Sequence, residues 1–186
     1  MYPNEARMAA TDEHEDFELR SEVAVVGLGA GGGMAFHELA KDGRDVVGIE
    51  MGEFVDTETV TQYEDEMIPR IFQESGARTT EDFSVSILQG KGVGGSTVHN
   101  TNLCKRLPEP ILEQWAAEYG LAWATSEKLQ EDFAYVEDLL GVKRIPDERV
   151  NANNRVMEEA LEALGWSGGR MKHNRHHDDC RQSGFC

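Results

Sequence analysis

Three glycines in G-x-G-x-x-G spacing, Gly27, Gly29 and Gly32, lie between an apolar run (Val23, Ala24, Val25, Val26) and a helical pattern. A second apolar run, Val46, Val47, Gly48 and Ile49, ends in Glu50, 23 positions after Gly27. Residues of these types at this spacing can hold a dinucleotide. Gly27 lets the chain turn sharply off the first strand. Gly29 has no Cβ, so backbone can approach a pyrophosphate. The N–H groups at the helix start, with the helix dipole behind them, attract that anion. Gly32 belongs where helix and sheet touch. Glu50 sits near the expected offset of roughly 20 residues. A carboxylate there accepts hydrogen bonds from ribose hydroxyls and repels a 2′-phosphate, which argues against NADP. The motif alone does not separate NAD from FAD.

The elements that must position these residues are legible on either side. At about 100° per residue, Gly32, Ala35, Phe36, Leu39 and Ala40 fall on one helix face, and His37, Glu38, Lys41 and Asp42 fall on the other. Gly43 is the expected terminator. The chain from Thr59 to Phe72 reads as partly helical with Pro69 interrupting, and Ser84 to Leu88 reads as a strand. Beyond Pro108 three helical stripes follow. Ile111, Leu112, Trp115 and Tyr119 share a face that stops at Gly120. Leu129, Phe133, Val136 and Leu140 run between a Ser126 cap and Gly141. Val156, Met157, Ala160, Leu161 and Leu164 run from a cap near Asn153 to Gly165. All three stripes are expected to be core.

A second glycine loop, GKGVGGSTVHN, occupies residues 90–100. It is not a nucleoside-triphosphate loop, because Ser96 rather than a lysine follows Gly95. Its Gly95-Ser96-Thr97 end can still open a helix whose N–H groups face an anion. VVGLGAGGG with IEMG, followed by GKGVGGSTVHN, resembles the glucose-methanol-choline family of flavin oxidoreductases, in its branch similar to long-chain-alcohol and sterol oxidases. The resemblance covers residues 21–110 best. It implies a Rossmann-like α/β fold of the glutathione-reductase type. It also implies that Gly27, Gly29, Gly31, Gly32 and Glu50 hold the ADP half of FAD. Gly94, Gly95, Ser96, Thr97 and Asn100 would then line the flavin side, with His99 as a polar neighbour of the loop. In that family a substrate sheet and a late pair, a histidine with a second histidine or an asparagine, carry the alcohol chemistry, and no residue of this chain matches that pair. The expectation is an N-terminal part of an enzyme that oxidises an alcohol by hydride transfer to FAD, too short by itself to bind FAD well or to turn over. The expected parts are an acidic tail at 1–20, an incomplete FAD-binding domain at 21–107 and a mainly helical segment at 108–186. Two other readings stay open: an NAD-dependent dehydrogenase, against which the second loop counts, and a non-catalytic dinucleotide-binding module.

Composition narrows the partners. A formal charge of −17 over 186 residues disfavours nucleic acid and anionic membrane. No run approaches the 18 apolar residues of a membrane span, and the polar N-terminus lacks the core of a secretion signal. Three cysteines, Cys104, Cys180 and Cys186, make no disulfide framework. These features point to a cytoplasmic protein; the resemblance, not the composition, implies a small-molecule alcohol as substrate and leaves the electron acceptor unspecified. His173, His176, His177, Cys180 and Cys186 are zinc-type ligands, but C-x5-C and adjacent histidines are poor ligand spacing, so no metal is expected.

Overall fold

The computed structural model describes residues 18–56 and 58–174. The acidic tail before residue 18 and the zinc-type residues His176, His177, Cys180 and Cys186 lie outside the described residues. The chain divides into two units, up to Asn100 and from Thr101 onward.

The first unit begins with β1 (Val23–Val26), α1 (Ala30–Lys41) and β2 (Val46–Ile49). Runs of four with three β-branched residues each, VAVV and VVGI, make the two strands. They pair in parallel with Val23 opposite Val46 and Val26 opposite Ile49. A parallel pair needs a crossover, and α1 supplies it. Phe36 of its apolar stripe packs on β2, where a Cβ on Gly48 would lie 3.3 Å from it, while Ala35 and Ala40 of the same stripe are exposed. The opposite face of the strand pair is open, with Val26 80% and Ile49 52% exposed. α2 (Glu64–Ile71) follows, with Pro69 inside its last turn. Its Arg70 makes a forked ion pair with Glu53, at 2.7 and 3.2 Å, and donates to the Thr59 carbonyl.

The expected strand at Ser84–Leu88 does not form. Isolated bridges join Thr79 to Ser86 and Phe72 to Gly90 instead. The ladder is broken on both sides of Val85. Phe83 sits at φ +58, and the Gln89 N–H turns back to the Ile87 carbonyl at 3.0 Å. Alternation of Ser, Val and Ile carries no information about these local turns.

The second unit holds β3 (Leu103–Cys104), α3 (Glu109–Tyr119), α4 (Glu127–Leu139), β4 (Val142–Arg144), α5 (Ala152–Ala163) and β5 (Lys172–Asn174). The helices start and stop on local signals. Ser126 Oγ accepts from the Leu129 N–H at 3.2 Å, and Asn151 Oδ1 from the Asn154 N–H at 2.9 Å. The cap of α5 is therefore Asn151, two residues before the expected position. The Gly120 N–H closes α3 on the Trp115 carbonyl. The three strands form an antiparallel sheet in the order β3-β5-β4, which helical periodicity did not anticipate. Strands of two or three residues, with sequences such as KHN and VKR, are too short and polar to show an alternation.

The expectation that every helical stripe is core needs correction. Leu112 is buried, at 4% exposure, but Ile111, Tyr119 and Leu140 on the first two stripes are exposed. On α5, Val156, Met157 and Leu164 are all more than 60% exposed. Periodicity identifies an apolar face, and only a packed neighbour makes that face a core. No helix among the described residues is long and apolar enough to cross a membrane.

Candidate functional site

The two glycine loops meet within the first unit. Gly27 leaves β1 at φ +87, in the left-handed region open to glycine, while its N–H still donates to the Ile49 carbonyl at 2.7 Å. Gly29 caps α1 in an extended conformation, and its carbonyl accepts from the Gly33 N–H at 2.7 Å. Gly31 and Gly32 occupy the first turn of α1. Gly32 is there because nothing larger fits. A Cβ would lie 1.8 Å from the Gly27 carbonyl oxygen and 3.6 Å from Val25. Helix and strand touch at this residue, as the sequence spacing implies. A Cβ on Gly29 or Gly31 would meet nothing within 4 Å. The space in front of the loop is open, as backbone approach to a ligand requires.

The second loop closes on the first. The Gly94 N–H donates to the Leu28 carbonyl at 2.7 Å. Gly94, at φ +98, turns the chain into a short 3-10 turn at Gly95–Thr97. Gly95 is buried directly against the first loop, where a Cβ would come within 2.9 Å of the Gly29 Cα. Ser96, Thr97 and Asn100 direct polar atoms back into their own loop. Ser96 Oγ accepts from the Gly90 N–H at 2.8 Å. Thr97 Oγ1 donates to the Gly94 carbonyl at 2.6 Å, and Asn100 Nδ2 to the Thr97 carbonyl at 2.7 Å. The His99 ring stacks on Phe72, centroid to centroid at 4.0 Å, and its Nε2 is buried with no hydrogen-bond partner among the described residues.

Glu50 lies one residue past β2, where strand pairing brings it beside the first loop. Its Oε2 accepts from the Leu28 N–H at 2.8 Å and its Oε1 from the Gly52 N–H at 3.0 Å. Partial burial pushes its carboxyl up, but the N–H groups of Gly52, Leu28, Gly92 and Met51 outweigh that and hold it below the usual carboxylate range. The group is ionised at neutral pH. Leu28, Gly52 and Gly92 also border the candidate site; Gly92 belongs to the second glycine loop of the sequence, and none of the three is among the expected cofactor contacts. They act through backbone atoms, so residue type carries little trace of the role. Gly52 in IEMG was the one available hint: a Cβ there would lie 2.4 Å from the Gly92 nitrogen.

The chemistry of these groups suits an anion held by backbone. α1 has no side-chain cap and no acidic residue in its first turn, so no carboxylate of its own competes for the N–H groups there. A sequence model of the family described as GMC oxidoreductase matches residues 68–186, which is more than half of the chain. This chain belongs to the GMC oxidoreductase family. Its relatives agree. A GMC-type oxidoreductase of Mycobacterium tuberculosis is 32% identical over 162 residues, 83% of this chain and 25% of that protein. A long-chain-alcohol oxidase of Arabidopsis thaliana is 26% identical over 87% of this chain and 22% of its own length. Another from the same plant is 30% identical over 82% of this chain and 20% of its own. The chain thus spans a quarter or less of the length of these relatives. GMC oxidoreductases are flavoproteins, and the matched residues begin after the first glycine loop and include the second.

Proposed function

We propose that this chain is the FAD-binding part of a flavin-dependent oxidoreductase that takes hydride from the carbinol carbon of an alcohol. The observation that carries the reading is the meeting of the two glycine loops: Gly94 N–H on the Leu28 carbonyl at 2.7 Å, with open space in front of Gly29. The β1-α1-β2 unit that presents the first loop supports a Rossmann-like fold of the glutathione-reductase type. The long-chain-alcohol oxidases among the relatives support an alcohol as substrate.

The residues present fit FAD in three respects. The uncapped start of α1 offers N–H groups and a positive dipole end to a pyrophosphate. Glu50 accepts two backbone bonds, and a carboxylate has about four acceptor sites, so it can still receive ribose hydroxyls. The Gly94–Asn100 loop is held by its own side chains in a fixed shape beside the first loop. When bound, FAD would supply the two-electron acceptor of the reaction. The part played by this chain is to bind, orient and hold that acceptor, and none of the site residues is given a proton-transfer role.

Gly29→Val tests the assignment. Gly29 has ordinary extended φ/ψ and its Cβ would point into open space, so the variant is expected to fold. The valine would fill the volume meant for phosphate. The full-length variant should purify with its flavin absorbance gone and bind FAD at least about a hundredfold more weakly, a loss of ~3 kcal/mol. Wild-type flavin content in that variant would overturn the proposal, and a wild-type protein that purifies with NAD in place of flavin would do so too.

A further inference from the structure

We infer that the Glu50 carboxylate is a clasp that holds the two glycine loops and the turn after β2 in one frame, a positioning role separate from any contact with a ribose. Two segments bond to this one group, and a third packs against them. From the first loop, the Leu28 N–H reaches Oε2 at 2.8 Å. From the turn after β2, the Gly52 N–H reaches Oε1 at 3.0 Å. The second loop packs against this point, where a Cβ on Gly52 would lie 2.4 Å from the Gly92 nitrogen, and its Gly92 N–H helps to hold the carboxyl below its usual range. The Leu28 peptide is the shared link, because its N–H goes to Glu50 while its carbonyl accepts from Gly94 at 2.7 Å. Around this point the backbones are too close for side chains. Gly52 lies against Gly92, and the Val93 N–H reaches the Glu53 carbonyl at 3.2 Å.

The residue type follows from the donors. Both carboxylate oxygens face N–H groups, and only an ionised carboxylate is acceptor-only on both arms. A glutamine of the same size presents one oxygen and one NH2, so one arm of the clasp must set a donor against a donor. A ribose hydroxyl, by contrast, both donates and accepts, and a glutamine amide can satisfy it. Glu50→Gln therefore separates the two roles.

The inference rests on the FAD reading only for its second readout. The first is amide hydrogen exchange in the full-length protein stripped of flavin, which needs no cofactor. In the wild type, the Leu28 and Gly52 amides are expected to exchange at least about tenfold more slowly than the unpaired Ala30 and Gly31 amides. In Glu50→Gln that protection should fall at Leu28, Gly52 and Gly94, while the Leu129 amide, held by Ser126, stays as in the wild type. The second readout is FAD affinity of Glu50→Gln, expected to drop roughly tenfold or more from the loss of one charge-assisted bond. Protection at Leu28 and Gly52 no greater than at Ala30 in the wild type would overturn the clasp, even if Glu50→Gln failed to fold. So would a Glu50→Gln protein with unchanged exchange. Unchanged FAD affinity beside lost protection would show that the loops are not held for the cofactor, and would overturn the positioning role while leaving FAD binding itself intact.

Discussion

In the first unit the two glycine loops meet through backbone atoms, with one carboxylate and short polar side chains bonding to backbone around them, while in the second the contacts that tie helix to sheet are made by charged side chains. The glycine loops touch through peptide N–H and carbonyl groups, with Gly32 and Gly95 packed where no Cβ fits. In the second unit, Glu137 on α4 accepts from Arg106 Nε at 2.9 Å and from Lys172 Nζ on β5 at 3.0 Å, and Arg106 also lies over the Phe133 ring at 5.5 Å. Arg170 likewise joins Glu158 on α5 to Asp147. A backbone frame has almost no tolerance for added atoms. A side-chain frame is adjustable, and screening by water makes each part-exposed pair worth little. The difference leaves the glycine loops of the first unit little room to adjust and the frame of the second unit more.

The contrast breaks most visibly at Gly32. Gly32→Ala places a methyl 1.8 Å from the Gly27 carbonyl oxygen, a backbone atom that cannot rotate away. The cost should exceed about 3 kcal/mol, the upper end of ordinary overpacking, and thermal unfolding of the variant should show it. An alanine tolerated there without a shift in melting temperature would mean that α1 and β1 are not in contact. Paired with Gly29→Val, which should spare the fold and remove the cofactor, it distinguishes structural from ligand-facing glycines in one loop.

In the second unit the corresponding test is acid. Arg106 first, and then Lys172, hold the Glu137 carboxyl down to about 2, against an ordinary value of 4.5. The unfolded chain therefore takes up its proton before the folded one does. The stabilisation is complete above the ordinary value and is lost as pH falls from about 4.5 toward 2. Glu137→Ala should cost on the order of 1 kcal/mol at neutral pH and flatten that stretch of the stability profile. A wild-type slope in the variant would assign the acid sensitivity to other groups.

The smallest effect is expected at the α4 cap. Ser126→Ala removes the acceptor for the Leu129 N–H and should cost about 1 kcal/mol, measurable by denaturant unfolding. It should leave flavin content untouched. A fall in flavin content would show that the second unit shapes the cradle more directly than its side-chain frame suggests.

The parts of the fold legible in the sequence are those with local causes. Four-residue apolar runs, the helical phase of Phe36 and Leu39, and caps such as Ser126 each act within a few residues, and each produced the element expected of it. Val156, Met157 and Leu164 show the limit of periodicity, which draws a stripe on α5 that the described residues leave largely exposed. The β3-β5-β4 sheet shows another limit, since its pairing joins residues about seventy positions apart through segments too short to advertise themselves.

The candidate site divides in the same way. By itself, the sequence determined that a G-x-G-x-x-G turn would join a strand to a helix and that an acid would close the next strand. Glycine spacing and strand length are local constraints on backbone. Only the tertiary structure decided that the loop at Gly94 closes on Leu28, that Gly95 packs on Gly29, and that both oxygens of Glu50 face N–H groups of neighbouring segments. The loop contacts form between main-chain atoms that every residue possesses, and the Glu50 carboxylate also finds main-chain N–H groups, so these partners are chosen by where the chain is brought.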